Sequence, residues 1–200
     1  GGVRALQIVA LVLLIALVVV TRFWPAVTRV EVIGNQHLSR SDVMRLANVA
    51  PGDPLLWITR WSVAGLTHEP WVVQARVTRH WPDTVAIAVV ERVPVIGDGA
   101  VGWAADGVAL ANVPAATMAS LPRVEGWGTP RIEQALELLG MLVGHGVRVI
   151  MYGPEGFEVV LADVVLFTPS VDALRAQWPA FESQRGGRVA VYPWGVSSAP

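Results

Sequence analysis

The stretch "PWVVQARVTRHWPDTVAIAVVERVPV", residues 70–95, decides how this chain folds. Val73, Ala75 and Val77 alternate with Gln74, Arg76 and Thr78, the period of a half-buried strand. "HWPD" at 80–83 makes a turn, and Val85–Glu91 runs back as a second strand. That return strand is apolar on both faces, the pattern of a central strand. Pro70 closes the element before it, and Trp71 is placed to cover the bottom of a core. Trp81-Pro82 stiffens the turn, while Arg76, Arg79 and Arg92 keep the outer face soluble. Each of these roles is structural, so the hairpin marks a module without being its working part.

Working upstream, "VTRVEVIGNQHLSRSDVMRLANVAPGDPLL" opens with a short strand, Val27–Ile33, in which Val30 and Val32 share a face. Gly34-Asn35 turns the chain. Ser39 caps a short helix with Asp42 three residues on, and Val43, Leu46 and Ala47 form its apolar stripe. "PGDP" at 51–54 breaks the chain, and a second short helix is predicted over Trp61–His68, ended by Pro70. The order is strand, helix, helix, strand, strand, with both helices on one side of a small sheet.

This order, and the wording "RVEVIGNQHLS…PGDPLL…PWVVQARVTRHWPDTVAIAVVERVPV", resembles a POTRA domain, and more narrowly that of the bacterial division family FtsQ (DivIB). The match runs almost unbroken from 27 to 95. The resemblance implies an α+β chain of four parts. They are an N-terminal transmembrane anchor (1–25), a β-α-α-β-β POTRA domain (26–94), a strand-rich C-terminal domain (95–195) and a short tail (196–200). POTRA domains that precede outer-membrane barrels share the fold, but no barrel is expected within these 200 residues.

The anchor is also legible from the residues alone. "ALQIVALVLLIALVVVT", Ala5–Thr21, lies between Arg4 and Arg22, with Leu6, Leu11, Leu14 and Leu17 among its lipid-facing candidates. Seventeen helical residues span roughly 26 Å, slightly short of a hydrocarbon core of about 30 Å. Phe23 and Trp24 follow where an aromatic belt belongs, and Pro25 stops the helix. The apolar core is longer than a signal peptide needs, and "VVVTRFWPAV" offers no small-x-small cleavage site, so an uncleaved anchor is expected. With almost nothing ahead of it, the N-terminus is expected in the cytoplasm and the bulk of the chain outside.

Composition narrows the functional classes. The 200 residues are 53% hydrophobic, with a mean hydropathy of +0.49, and the N-terminus supplies much of the excess. A net charge of -1 gives no basic field of the kind that nucleic-acid binding needs. All fifteen basic residues are Arg, so lysine Schiff bases, Ser-Lys dyads and P-loop lysines are excluded. The absence of Cys excludes disulfides, thiol nucleophiles and Cys-ligated zinc.

Downstream of Val95, "VGWAADGVALANV" reads as a hairpin around Asp106-Gly107. "PRIEQALELLGMLVGHG" reads as a helix with Ile132, Leu136, Leu139 and Val143 on one face, ended by Gly144 or Gly146. "VRVIMYGPEGFEVVLADVVLFTP" gives two or three strands with turns at Gly153-Pro154 and Ala162-Asp163. "SVDALRAQWPAFESQ" is a helix carrying Leu174, Trp178 and Phe181, which Pro179 kinks or splits. A last strand, "RVAVYPWGV", follows Gly186-Gly187, with Ser197-Ser198 in a frayed end.

No catalytic constellation emerges. His37, His68, His80 and His145 lack ligand spacing, no G-x-S-x-G elbow or phosphate loop is present, and Glu155 with Glu158 reads as a solvated turn. No cofactor is expected. The last strand of an open sheet often lies at an edge, and edges recruit strands from other chains. Val189, Val191, Tyr192, Trp194 and Gly195 are therefore the candidate partner-binding residues. Tyr192 and Trp194 either face a partner or fold back on the domain. The family's last strand carries a Y-x-x-G element that Tyr192–Gly195 matches in form. The resemblance implies a non-enzymatic divisome scaffold in the cytoplasmic membrane, at the septum, whose partner is the FtsB–FtsL pair. Pro193, which removes a backbone donor, departs from the pattern. Two other readings stay open: a POTRA-bearing chaperone or export component for unfolded envelope clients, and a membrane-tethered hydrolase with a site built from distant residues.

Overall fold

The computed structural model describes residues 2–99, 101–184 and 186–199. The chain is α+β and divides into two compact units between Arg92 and Val93. The division falls two residues ahead of the expected boundary because Pro94 already belongs to the first strand of the second unit.

The first unit opens with α1 (Gly2–Phe23), a 22-residue helix that continues through both flanking arginines. At 1.5 Å per residue it is roughly 33 Å long, enough to cross a hydrocarbon core that the apolar run alone falls short of. Leu6, Leu11, Leu14 and Leu17 are exposed along it, as is Trp24 beyond its end. Phe23 ends the helix, and its side chain lies outside the described residues.

Behind α1, β1 (Arg29–Ile33), β2 (Val72–His80) and β3 (Thr84–Glu91) form a three-stranded sheet in the order β1-β3-β2. β3 is central, parallel to β1 and antiparallel to β2. One of its faces, Val85, Ile87 and Val89, is buried, whereas Ala88 and Val90 on the other face are exposed. Its central place therefore rests on pairing to both neighbours, not on burial of both faces. A bulge between Val72 and Gln74 adds one residue to β2, so Val73 points outward and the inward set is Val72, Ala75 and Val77.

The helix α2 (Arg40–Leu46) is capped as expected: Ser39 Oγ accepts the Asp42 N–H at 3.1 Å. The same hydroxyl donates to the Asp42 carboxylate at 2.6 Å, replacing the reach-back of a capping box. After a 3-10 turn at Leu55–Trp57, the helix expected over Trp61–His68 is instead two further 3-10 turns, Arg60–Val63 and Leu66–His68. Gly65 separates the last two, and a Cβ there would meet the Leu46 carbonyl oxygen at 2.4 Å. The close approach of this segment to α2 accounts for a glycine in the middle of the expected helix. Leu55, Ile58, Val63 and Leu66 still point inward, onto Val27, Val30, Val43 and Ile87.

Among the described residues of the second unit, nine strands make one sheet. They are β4 (Pro94–Asp98), β5 (Val101–Ala104), β6 (Ala109–Leu110), β7 (Arg123–Gly126), β8 (Val149–Gly153), β9 (Gly156–Val160), β10 (Val164–Thr168), β11 (Gly187–Tyr192) and β12 (Gly195–Ala199). Their order is β12-β11-β10-β9-β8-β7-β4-β5-β6. The helices α3 (Ala115–Ser120), α4 (Ile132–Met141), α5 (Val171–Ala176) and α6 (Trp178–Glu182) connect them. α5 and α6 are separate helices, with Pro179 in the first turn of α6, as its missing N–H favours. The core lies between α4–α6 and one sheet face: Ile150, Phe157, Val159, Leu166, Leu174 and Val189. α4 buries Ile132, Ala135 and Leu138, with Leu142 just beyond it. The predicted stripe was rotated: Leu136 and Leu139 are half-buried, and Val143 is exposed past the helix end.

A candidate partner-binding edge at the C-terminus

The candidate site is built by a crossover and a hairpin. β10 leads through α5 and α6 into β11, which returns parallel to it; Gly186 and Gly187, both at positive φ, make the entry. Along β11, Val189 and Val191 point inward and are buried, while Ala190 and Tyr192 face the other side. Tyr192 then pairs with Gly195 across Pro193-Trp194, and β12 runs back antiparallel from Gly195 to Ala199.

Two sequence expectations change here. β11 is not the sheet edge, since β12 covers it, and Ser197-Ser198 are paired strand residues instead of a frayed tail. Val189 and Val191 consequently serve the core and present no side chain to a partner. The sequence concealed β12 because "GVSSA" has little apolar alternation and Pro193-Trp194 is not a recognised hairpin-turn pair.

Tyr192, Trp194 and Gly195 remain at the site. The Tyr192 ring packs on Phe167 with centroids 5.9 Å apart and stacks on Trp194 at 5.1 Å with 10° between planes. Gln177 fixes the turn by donating its side-chain N–H to the Pro193 carbonyl at 3.1 Å. Trp194 itself is 82% exposed, so the structure places it outside the core. Phe167 and Gln177 were missed in the sequence because they come from other elements.

β12 is the terminal strand, with β11 on one side and no strand on the other among the described residues. Its residues Gly195, Val196, Ser197, Ser198 and Ala199 include no charge, no proline and no bulge, the usual devices that stop one sheet from adding to another. The opposite edge differs: β6 has two residues, too short to template a strand. Beside β12 on the outer sheet face runs a shallow depression lined by Val165, Phe167, Arg188, Ala190 and Ser197, with Glu158 paired to Arg188 at 3.4 Å. Chemically this edge offers backbone donors and acceptors, an aromatic anchor and small side chains. It suits capture of an extended chain.

Elsewhere, no three His, Cys, Asp or Glu side chains among the described residues gather to hold a metal ion. The hydrogen bond from Ser39, and then the Arg45 guanidinium, hold the Asp42 carboxyl below its ordinary value, but at an exposed helix start. The hairpin that decides the fold is tied in by Glu91, whose carboxylate accepts the backbone N–H groups of Gln36, His37 and Leu38 at 3.0, 2.6 and 3.0 Å. Trp71, buried as expected, stacks on His37 at 3.6 Å.

A family model for the POTRA domain of FtsQ type matches residues 25–92. The cell division protein FtsQ of Mycolicibacterium smegmatis is 38% identical over 123 residues, which is 57% of this chain and 37% of that protein. FtsQ of Mycobacterium bovis is 37% identical over 122 residues, 56% of this chain and 39% of its own length. FtsQ of a Geobacter species is 38% identical over 66 residues, 32% of this chain and 24% of its own. The chain thus spans well under half the length of these relatives, and in the two longer matches the likeness extends past the POTRA segment. Residues 25–92 are therefore a POTRA domain of FtsQ type, and through that segment and its flank the chain is similar to these cell division proteins.

Proposed function

We propose that this protein is a non-enzymatic, single-pass scaffold of the bacterial divisome that captures the FtsB–FtsL pair on the free edge of β12. α1 holds the chain in the cytoplasmic membrane, with its N-terminus inside and both folded units outside, at the septum. Confinement to the membrane raises the effective concentration of the edge against other membrane-bound partners. An extended segment of the pair then adds as a further strand beside β12, and Trp194 supplies an aromatic anchor at the turn. The POTRA unit serves localisation.

The observation that supports this reading best is the undefended edge: five paired residues without charge or proline, next to an 82% exposed tryptophan. An aromatic side chain that becomes buried on binding contributes about 2 kcal/mol or more to an interface. Binding of the full chain to the outer segments of FtsB and FtsL tests it. Trp194→Ala is expected to weaken binding by roughly 30-fold or more, from that figure. A folded wild type that ignores the pair yet binds many unfolded envelope polypeptides would instead favour the chaperone reading.

A further inference from the structure

The chain contains nine tryptophans, and four of the five in the first unit stand in solvent. Trp24, Trp57, Trp61 and Trp81 are between 54% and 71% exposed. A side chain this large and apolar is seldom left in water without a use. They come from three separate stretches of the chain, at 24, 57–61 and 81, yet hydrogen bonds and a ring contact draw those stretches to the point where α1 ends.

Trp24 follows directly on α1, and its ring meets that of Trp81 edge to face, centroids 6.2 Å apart. The turn that carries Trp81 is tied to the same exit, since Thr28 N–H donates to the Asp83 carbonyl at 2.9 Å. The 3-10 turn that carries Trp57 is tied there too. Leu55 N–H donates to the Pro25 carbonyl at 2.9 Å, and Ala26 bridges Pro54. Arg79, at the end of β2, donates to the Leu56 carbonyl at 3.1 Å and so joins the two tips. Trp61 stands four residues beyond Trp57, with the Arg60 guanidinium over its ring at 4.9 Å.

We propose that the POTRA unit rests on the bilayer surface through these four tryptophans, with Arg22 and Arg60 meeting the lipid headgroups. The proposal rests on the reading of α1 as a membrane span and reaches beyond it, since an anchor alone leaves the unit free to swing. The geometry favours lipid as the occupant. The headgroup zone of each leaflet is about 5–8 Å deep, half the difference between a bilayer of 40–45 Å and its 30 Å core. A ring 6.2 Å from Trp24 falls within that depth when Trp24 sits at the end of the span. Tryptophan prefers this zone because its body is apolar and its N–H needs a polar partner. Charge agrees. Arg22, Arg60 and Arg79 outnumber Asp53 and Asp83 around this exit, so its net charge is positive toward an anionic surface.

The test uses the full chain in nanodiscs of phosphatidylcholine and phosphatidylglycerol, labelled with 5-fluorotryptophan. Single Trp→Phe substitutions assign its resonances. A lipid with a nitroxide on its headgroup then broadens the tryptophans that lie in the interface. The expected result is broadening of Trp57, Trp61 and Trp81 to the extent seen for Trp24, while buried Trp71 stays sharp. Broadening of Trp24 alone would overturn the proposal, leave α1 as a span, and assign the patch to a protein partner. A sharp Trp24 would remove the span itself and overturn both.

Discussion

Glu91 does more for the POTRA fold than its place in a strand suggests. Its carboxylate accepts three consecutive backbone N–H groups from the Gly34–Ser39 loop, and so joins the end of β3 to the start of α2. Glu91→Ala leaves those donors without their acceptor, and a loss of roughly 2–3 kcal/mol is expected in urea unfolding of the full chain. Gly34, at φ +86 with the Val89 carbonyl 2.2 Å from any added Cβ, tolerates no side chain, so Gly34→Ala is expected to be at least as damaging. Ser39 acts on a smaller scale. Its hydroxyl lowers the Asp42 pKa, so Asp42 binds its proton less readily folded than unfolded. That contribution is complete above the ordinary value of 3.8 and fades as pH falls through the folded value. In an NMR titration Asp42 should ionise below 3.8, and Ser39→Ala should return it toward 3.8 while removing a cap worth about 1 kcal/mol.

At the scale of elements, β11 and β12 divide the labour. Val191→Ala opens a hole in a packed core and is expected to cost about 2 kcal/mol of stability. Ser197→Lys places a charge on the exposed edge strand and should leave thermal unfolding within about 0.5 kcal/mol of wild type, while abolishing strand addition. This division was only half legible in the sequence. The alternation of "RVAVY" marked a strand, but alternation cannot say which side of a strand carries a neighbour. The five residues after it gave no signal because an edge strand made of Gly, Val, Ser and Ala has no apolar face to display. The POTRA unit was far more legible, since turn residues and caps such as Gly34, Ser39 and Pro82 act locally. Its errors were also local. A bulge shifted the phase of Val73, and the close approach of Gly65 to Leu46 accompanied 3-10 turns in place of a helix.

At the scale of the whole molecule, the proposed role assigns one task to each part. α1 is long and apolar enough to cross a membrane, the POTRA unit follows it, and the second unit carries the open edge. The scaffold proposal rests on the family match to residues 25–92 together with an undefended edge in the unit that follows. The measurement that bears most directly on this account is hydrogen exchange of the full chain in a membrane mimic, with and without FtsB and FtsL. The account predicts that amides of Gly195–Ala199 become strongly protected on complex formation, with little change in β2 or β6, and that Ser197→Lys removes the effect. Tight binding of the pair with β12 exchanging as fast as before would contradict it.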